Sequence, residues 1–359
     1  MNPRIYFTAA APFEAARQLD LLFSPEHREH RLHGHSFLAR VWAKFLPNDL
    51  PFPGIETDVL AERLQMAVTP LNYTLLNGHL PVPTDENLTR WIRARLEMVE
   101  VERVGVQSTC DQGADWSQSG SVHLWRRFRF EAAHQLPSVP PGHPCGRMHG
   151  HGFAVILHAC LPASYELLET QWAPLHEQLH LNCLNELPGL ENPTSERLAA
   201  WLWQRVKPQL PALSWVTVYE TATAGCHYDG RYYRIWKERC FESALRLSSA
   251  PEGDPRRRLH GHSYTLRLHL TAPLNEVLGW TVDYGEVKAL FEPLYQQLDH
   301  HRLDELAGLT RGPALAGLLD WMRERMGAVL PSLDRIDLEQ TPGCGATLCW
   351  GGERPVLPG

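Results

Sequence analysis

The sequence predicts an α+β fold built from three tandem copies of one unit. A His-Gly-His motif recurs, beginning at His33, His149 and His260, at intervals close to the length of a small domain. Related segments precede each motif, namely FEAARQL, FEAAHQL and FESALRL, and others follow it, namely VPTDENLTRWI, NPTSERLAAWL and GPALAGLLDWM. Because 359 residues are too many for one typical core, we expect units at residues 1–117, 118–230 and 231–359.

The second copy shows the order of elements most clearly. Alternation of apolar and charged residues predicts a half-buried strand that ends near His134, and a second strand follows at 149–158. Two more strands are expected at 214–221 and in the AGCHY segment.

Two helices are expected between these pairs of strands. One covers roughly 171–180, and the other begins at Asn192, where asparagine can cap a helix and proline suits its first turn. The unit therefore has the order ββααββ. The polar stretch 111–121 is expected to be a linker between the first two units, and 227–231 a turn into the third.

Composition is that of a globular protein, with 43% hydrophobic and 21% charged residues. A net charge of -7 argues against nucleic acid as a partner. We expect no signal peptide and no membrane span. The eight cysteines stand singly, without a CxxC pair, which is typical of reduced thiols in the cytoplasm.

Three histidines of the second copy form a candidate metal site. His149 and His151 are two apart on a strand and share a face, and His134 ends the inward row of the preceding strand. Three imidazoles with one open position are typical of a catalytic zinc ion; structural or surface histidines are the alternative. The position of His134 is Arg17 in the first copy and Leu245 in the third, so we expect one metal ion per chain.

Cys145 lies in a loop four residues before His149. A nearby divalent cation would lower the pKa of this thiol and favour the thiolate. The alternative is a small buried core residue. The other copies have Glu29 and Arg256 at this position, so the thiol also belongs to the second copy alone.

The third copy has an adjacent acid and imidazole, Asp299-His300, near the end of a helix. The aligned pairs are His180-Leu181 and Asn72-Tyr73. A carboxylate beside an imidazole suits proton transfer, whereas a solvated charge pair is the alternative. Glu220 and Glu339 stand at what we take to be matching strand ends, where Ser108 stands in the first copy.

These residues resemble those of the 6-pyruvoyltetrahydropterin synthase superfamily, which has the T-fold, or tunnelling fold. The resemblance rests on FEAAHQLPSVPPGHPCGRMHGHGF, LPGLENPTSERLAAWLW and VYETATAGCHY in the second copy, and on GWTVDYGEVKALFEPLYQQLDHHRL in the third. It implies that T-fold units, each an antiparallel sheet with two helices, assemble as trimers and close a barrel. It also implies active sites between neighbouring units, with zinc and cysteine from one unit and the Asp-His pair from the next.

Carried onto this sequence, the resemblance implies the zinc ligands His134, His149 and His151 and the catalytic residues Cys145, Asp299 and His300. It also implies a glutamate that anchors a pterin, either Glu220 or Glu339. Three fused units would then form a pseudo-trimer. We call the boundary between two units a seam. The one complete site would lie at the seam between the second and third units. The degenerate first unit would close the barrel.

The second copy resembles most the 6-carboxytetrahydropterin synthase branch of queuosine biosynthesis. That branch converts 7,8-dihydroneopterin triphosphate to 6-carboxy-5,6,7,8-tetrahydropterin, acetaldehyde and triphosphate. The alternatives are the triphosphate-eliminating 6-pyruvoyl lyase and a non-catalytic pterin-binding scaffold. The sequence leaves open which basic residues take the triphosphate. It also leaves open whether two chains stack as a homodimer, a pseudo-hexamer of units.

Overall fold

The computed structural model describes residues 3–22, 24–46, 49–98 and 100–351. The first unit contains β1 (Arg4–Arg17), β2 (His33–Ala43), α1 (Glu56–Val68), β3 (Thr74–Leu75), α2 (Asp85–Arg95), β4 (Val101–Thr109) and β5 (Gln112–Ser117). The second contains β6 (Val122–His134), β7 (His149–Cys160), α3 (Tyr165–Leu179), β8 (Asn182–Cys183), α4 (Ser195–Val206), β9 (Leu213–Thr221) and β10 (Ala224–Tyr228). The third contains β11 (Tyr233–Leu245), β12 (His260–Thr271), α5 (Tyr284–Leu298), α6 (Leu315–Met326), β13 (Leu333–Thr341) and β14 (Cys344–Cys349).

Within these ranges the long strands form a 12-strand antiparallel barrel. β5 pairs with β6 and β10 pairs with β11, so each unit continues the sheet of the one before it. β1 and β14 pair over Arg4↔Cys349 to Thr8↔Gly345, which closes the ring. The protein therefore consists of three fused T-fold units arranged as a pseudo-trimer, as predicted.

The two faces of the barrel wall differ in what they contact. On one face of β6, Phe130 and Ala132 pack with Leu168, Trp172 and Trp201 of the helices. The six helices therefore cover the outside of the barrel. The alternating residues point to the interior, where Arg103 of the first unit and Arg335 of the third are close enough to interact.

The structure corrects three expectations about element boundaries. Most of the expected linker at 111–121 is strand β5, whose Asp115 forms a buried ion pair with Arg103 at 2.6 Å. α3 begins at Tyr165, well before residue 171, because the hydroxyl of Ser164 caps it. α4 begins at Ser195, and its cap is Thr194 rather than Asn192. The expected strand in the AGCHY segment is confirmed as β10.

Two further observations concern the chain as a whole. No helix in the described ranges is long and apolar enough to cross a bilayer. All eight cysteines carry free thiols. The outer ends of the first and third predicted units, at residues 1–2 and 352–359, lie outside the described residues.

Candidate functional site

Strand register brings the three predicted metal ligands together. His134, the last residue of β6, lies directly opposite His149, the first residue of β7. His151 is two residues further on, and its Nε2 lies 3.2 Å from Nε2 of His134. One nitrogen of each ring falls within 4.8 Å of the others. Within the described chain this is the one group of at least three histidine, cysteine or acidic side chains that could hold a metal ion.

Backbone carbonyl groups orient the three rings. Nδ1 of His134 lies 3.2 Å from the carbonyl oxygen of Pro193. Nδ1 of His149 lies 2.8 Å from that of Arg147, and Nδ1 of His151 lies 3.2 Å from that of Gly152. Since a carbonyl only accepts, each Nδ1 carries the proton and leaves Nε2 free as a ligand.

The electrostatic surroundings keep the rings of His134 and His151 neutral. Burial, followed by the proximity of His149, lowers the pKa of His134 to about 4. Burial also lowers the pKa of His151. A neutral imidazole is the form that binds a metal ion, so the donor set and its protonation state fit zinc.

The corresponding positions in the other units are filled by protein atoms. In the first unit Arg17 forms a buried ion pair with Asp85 at 2.6 Å, and the hydroxyl groups of Ser108 and Tyr165 donate to the same carboxylate. In the third unit Leu245 belongs to the buried apolar core. Neither position offers a metal ligand.

Cys145 lines a cavity of about 240 Å³ at the seam between the second and third units. The second unit also contributes Glu196 and Glu220, and the third contributes Trp280, Asp283 and Tyr284. Leu136 links this cavity to the histidine group: it stands two residues after His134, lines the cavity, and donates from its N–H to the carbonyl oxygen of Cys145 at 2.8 Å.

Hydrogen bonds hold the third unit against the start of α4 at this seam. The carboxylate of Glu196 accepts from the N–H and the hydroxyl of Thr281 at 2.7 and 3.0 Å. The hydroxyl groups of Ser195 and Tyr284 are 2.9 Å apart. The cavity wall is therefore fixed by contacts between two units.

Glu220 is a strand residue turned toward the cavity by a β-bulge. The pairing of β9 with β10 skips it, since Tyr219 lies opposite Gly225 and Thr221 opposite Ala224. Burial, followed by the negative charge of Glu196, raises the pKa of Glu220 to about 7. A buried carboxyl with a shifted pKa in a cavity is a typical binding or catalytic group.

Burial raises the pKa of the Cys145 thiol, and the carboxylates of Glu220 and Asp283 add to this effect. The protein's own groups therefore favour the neutral thiol near pH 7. The thiolate that we expected from the sequence requires the positive charge of a bound cation to oppose these effects.

The structure corrects the alignment of Glu339 with Glu220. Glu339 lies opposite Thr265 of β12, just as Tyr219 lies opposite Ala154 of β7. The residue at the bulge of β13 is Gln340, which donates to the hydroxyl of Thr57 in the first unit at 3.0 Å. The equivalent of Glu220 is therefore Gln340, and Glu339 is not among the residues that line the cavity of Cys145.

Asp299 and His300 lie next to a different cavity. His300 lines it with Glu242, His262 and other residues of the third unit, and this cavity shares no lining residue with that of Cys145. Oδ1 of Asp299 accepts from the N–H of Glu242 at 3.0 Å and lies 3.1 Å from Nδ1 of His300. The side chain of His300 is 77% exposed. The structure thus pairs these two residues but does not place them in the Cys145 cavity of the same chain.

Sequence reasoning missed Glu196 and Tyr284. Both stand in stretches that carried the resemblance, but Glu196 also has a counterpart in the first unit, Glu86, so repeat comparison does not single it out. Their roles emerge only when the third unit is docked on the second.

Fold and site together define a protein of three fused T-fold units, with one three-histidine group among the residues that the structure describes. The family model described as 6-pyruvoyl tetrahydropterin synthase matches residues 123–231 and 234–349, which is more than half of the chain. The chain belongs to this family.

Three similar proteins illustrate how much of this chain such matches cover. A 6-carboxy-5,6,7,8-tetrahydropterin synthase of Synechocystis sp. (strain ATCC 27184 / PCC 6803 / Kazusa) is 33% identical over 120 residues, which is 29% of this chain and 91% of that protein. The structure of Caenorhabditis elegans 6-pyruvoyl tetrahydropterin synthase matches 33% of this chain and 95% of its own, with 19% identity and a TM-score of 0.31. A uricase from Bacillus fastidious matches 72% of this chain and 92% of its own, with 10% identity and a TM-score of 0.28.

Proposed function

We propose that this protein is a cytoplasmic 6-carboxytetrahydropterin synthase of queuosine biosynthesis. It would convert 7,8-dihydroneopterin triphosphate to 6-carboxy-5,6,7,8-tetrahydropterin, acetaldehyde and triphosphate. The observation that carries the proposal is the cavity at the seam, which Cys145 and Glu220 line together with Leu136, two residues after the metal-ligand candidate His134. Identity to the Synechocystis protein, which bears this name, favours the carboxy product.

Glu220 would anchor the pterin ring. An ionised carboxylate can accept two N–H donors from the guanidine-like edge of a pterin, in the geometry of charge-assisted pairs. The bulge leaves Glu220 outside the backbone pairing of β9 with β10, and its side chain lines the cavity. Glu196 would hold the opposing wall through its hydrogen bonds with Thr281.

His134, His149 and His151 would hold Zn²⁺. The ion would act as a Lewis acid on the side-chain oxygens of the substrate. Cys145 would move a proton at its Sγ on the same side of the cavity, and the Asp299-His300 pair would act as partner acid and base. The hydrogen bond from the Glu242 N–H lowers the pKa of Asp299, so its carboxylate is ionised and can fix the tautomer of His300.

Two routes can join His300 to Cys145. In the first, the substrate spans the seam within one chain. The second unit lacks the Asp-His pair and the third lacks the thiol and the third histidine, so the two units complement each other. In the second, His300 of one chain faces Cys145 of another. The separate cavities and the exposure of His300 favour the second route.

Exposed apolar residues at one end of the barrel support stacking of two chains. Leu32, Met148 and Leu259 are 63%, 51% and 50% exposed, and each directly precedes one of the three His-Gly-His motifs. Tyr73 and Leu181, at the positions equivalent to His300, are 83% and 73% exposed. Exposed apolar groups at equivalent positions of a ring are typical of a symmetric contact, so we propose a homodimer in the form of a pseudo-hexamer.

Product analysis with purified, zinc-loaded protein and 7,8-dihydroneopterin triphosphate tests the proposed reaction. We expect acetaldehyde and 6-carboxytetrahydropterin in equal amounts, together with triphosphate, and none of these from the His149→Ala variant. A 6-pyruvoyl product without acetaldehyde would assign the protein to the alternative lyase. The absence of turnover would favour a pterin-binding scaffold.

A further inference from the structure

A second cavity, of about 630 Å³, opens on the inner face of the barrel wall. Its lining includes Arg127 and Arg129 of β6, Tyr219 of β9 and Arg267 of β12. Arg127 and Arg129 alternate with the outward-facing Phe128 and Phe130. The two guanidinium groups therefore come from the inner face of the sheet, and Phe130, Phe153 and His180 also line the cavity.

Positive charge dominates this cavity. The guanidinium carbon of Arg127 lies 5.3 Å from the centre of the Tyr219 ring, and Nε of Arg127 is buried without a hydrogen-bond partner. Arg267 is paired with Glu238 at 2.6 Å, whereas Arg127 and Arg129 form no ion pair among the residues that the structure describes. Glu131 is the acidic residue of the lining. A buried N–H donor without a hydrogen-bond partner costs free energy unless a ligand or a water molecule accepts from it.

The two unpaired arginines occur in the second unit alone. Strand register with His134, Arg17 and Leu245 places Ala10 and Glu238 at the positions equivalent to Arg127. It places Pro12 and Cys240 at those equivalent to Arg129. A purely structural role in closing the barrel would apply to all three units. The arginines instead accompany the unit that carries the histidine group.

We propose that this inner cavity binds a phosphate-bearing anion. Planar guanidinium groups donate paired hydrogen bonds to phosphate oxygens, and the volume lies within the range of about 300–1,000 Å³ typical of small-molecule sites. The anion is either a free polyphosphate or the triphosphate of a bound substrate. The second source would require the substrate to pass the end of the pairing between β7 and β9, which stops at Ala154, since Gly152 beyond that end also lines the cavity.

Calorimetric titration with inorganic triphosphate tests this inference directly, in the purified full-length protein at low salt. Wild type should bind one equivalent per chain. Arg127→Gln and Arg129→Gln should each weaken binding by about tenfold or more, since each removes charge-assisted hydrogen bonds, and Arg127→Lys should lose less. Arg90→Gln is the matched control, because Arg90 is an exposed arginine on α2 outside the barrel and its substitution removes the same charge. Thermal unfolding and zinc content should be unchanged in all four variants.

The two sources give different results in a second titration, with 7,8-dihydroneopterin triphosphate bound at one equivalent to the Cys145→Ala variant, which should not turn it over. Inorganic triphosphate that still binds with unchanged stoichiometry identifies a free-anion site. Loss of triphosphate binding with the substrate bound, but not with dihydroneopterin bound, identifies the substrate's own phosphates. Equal affinity of wild type and both glutamine variants for triphosphate, or no binding by wild type, would overturn the inference. The readout is binding, so it stands or falls separately from the proposed lyase activity.

Discussion

Arg17 and Asp85 form an ion pair at 2.6 Å with both side chains buried. Arg17 occupies the strand position that His134 has in the second unit. Because Ser108 of the first unit and Tyr165 of the second also donate to Asp85, the pair fills the seam between these two units. At this position the first unit has a hydrogen-bonded cluster in place of a possible metal ligand.

Removal of one partner should be costly. We expect Asp85→Ala to lower the free energy of unfolding by about 3–5 kcal/mol, because it leaves a buried guanidinium without its counter-charge. Urea denaturation measures this. The control is Glu305→Ala, which removes the partner of Arg302 in an exposed pair and should change little. If both variants lost the same small free energy of unfolding, water would hydrate Arg17 and the cluster would not exclude solvent from the seam.

Metal content should be about one zinc ion per chain, because one unit alone carries three convergent imidazoles. Elemental analysis of purified protein measures this stoichiometry. His149→Ala should remove the metal, and His260→Ala, in the equivalent position of the third unit, should leave it. A content near three ions per chain would contradict the asymmetry described here.

Cys145→Ala and His300→Ala should each reduce turnover by about 10²–10⁴-fold, as expected for groups that transfer protons. The double variant should be little worse than the worse single variant, because residues that act as a unit are not additive. Tyr73→Phe is the control and should have little effect. Full activity of His300→Ala would remove it from the mechanism.

Mixing the two inactive single variants distinguishes the routes between Cys145 and His300. If the pair of one chain serves another chain, refolding or co-expressing Cys145→Ala with His300→Ala should restore part of the activity. If the site lies within one chain, the mixture should stay inactive. Size-exclusion chromatography with light scattering shows whether mixed dimers have formed.

Pterin affinity should fall as the pH falls through about 7. Glu220 is ionised above its raised pKa of about 7 and neutral below it, and the neutral acid cannot accept both N–H groups of the pterin. Fluorescence titration from about pH 5.5 to 8 measures this dependence, and Glu220→Gln should bind weakly with a flat profile. The effect on stability has the opposite sign. A raised pKa favours the protonated form in the folded state, so the contribution of Glu220 to stability declines as the pH rises from its ordinary value toward 7.

Much of the fold was predictable from sequence because the three copies of the unit can be aligned with one another. His134, Arg17 and Leu245 were compared correctly, since each ends a strand without irregularity. Glu339 was misaligned because a β-bulge interrupts the register of β13, and an error of one residue moves a side chain to the other face of a sheet. Strand β5 was missed because its inner residues are Gly113 and Asp115, a composition more typical of loops.

The candidate site was only partly predictable because it is formed between units. The metal ligands come from adjacent strands of one unit, and spacing was enough to group them. The hydrogen bonds that Thr281 donates to Glu196 join residues 85 positions apart across a seam, and no local pattern encodes such docking. For the same reason, the sequence could not show that His300 lies in a separate cavity from Cys145.

The filled positions in the first and third units affect how the rate of this protein would depend on substrate concentration. Because Arg17 and Asp85 fill the position of His134 in the first unit and Leu245 fills it in the third, the proposed function would give a single chain one place for a pterin. Homotropic cooperativity requires at least two coupled sites, so an isolated chain must give a hyperbolic saturation curve. A sigmoidal saturation curve would therefore indicate coupling between sites on different chains, so the shape of the curve shows whether chains associate.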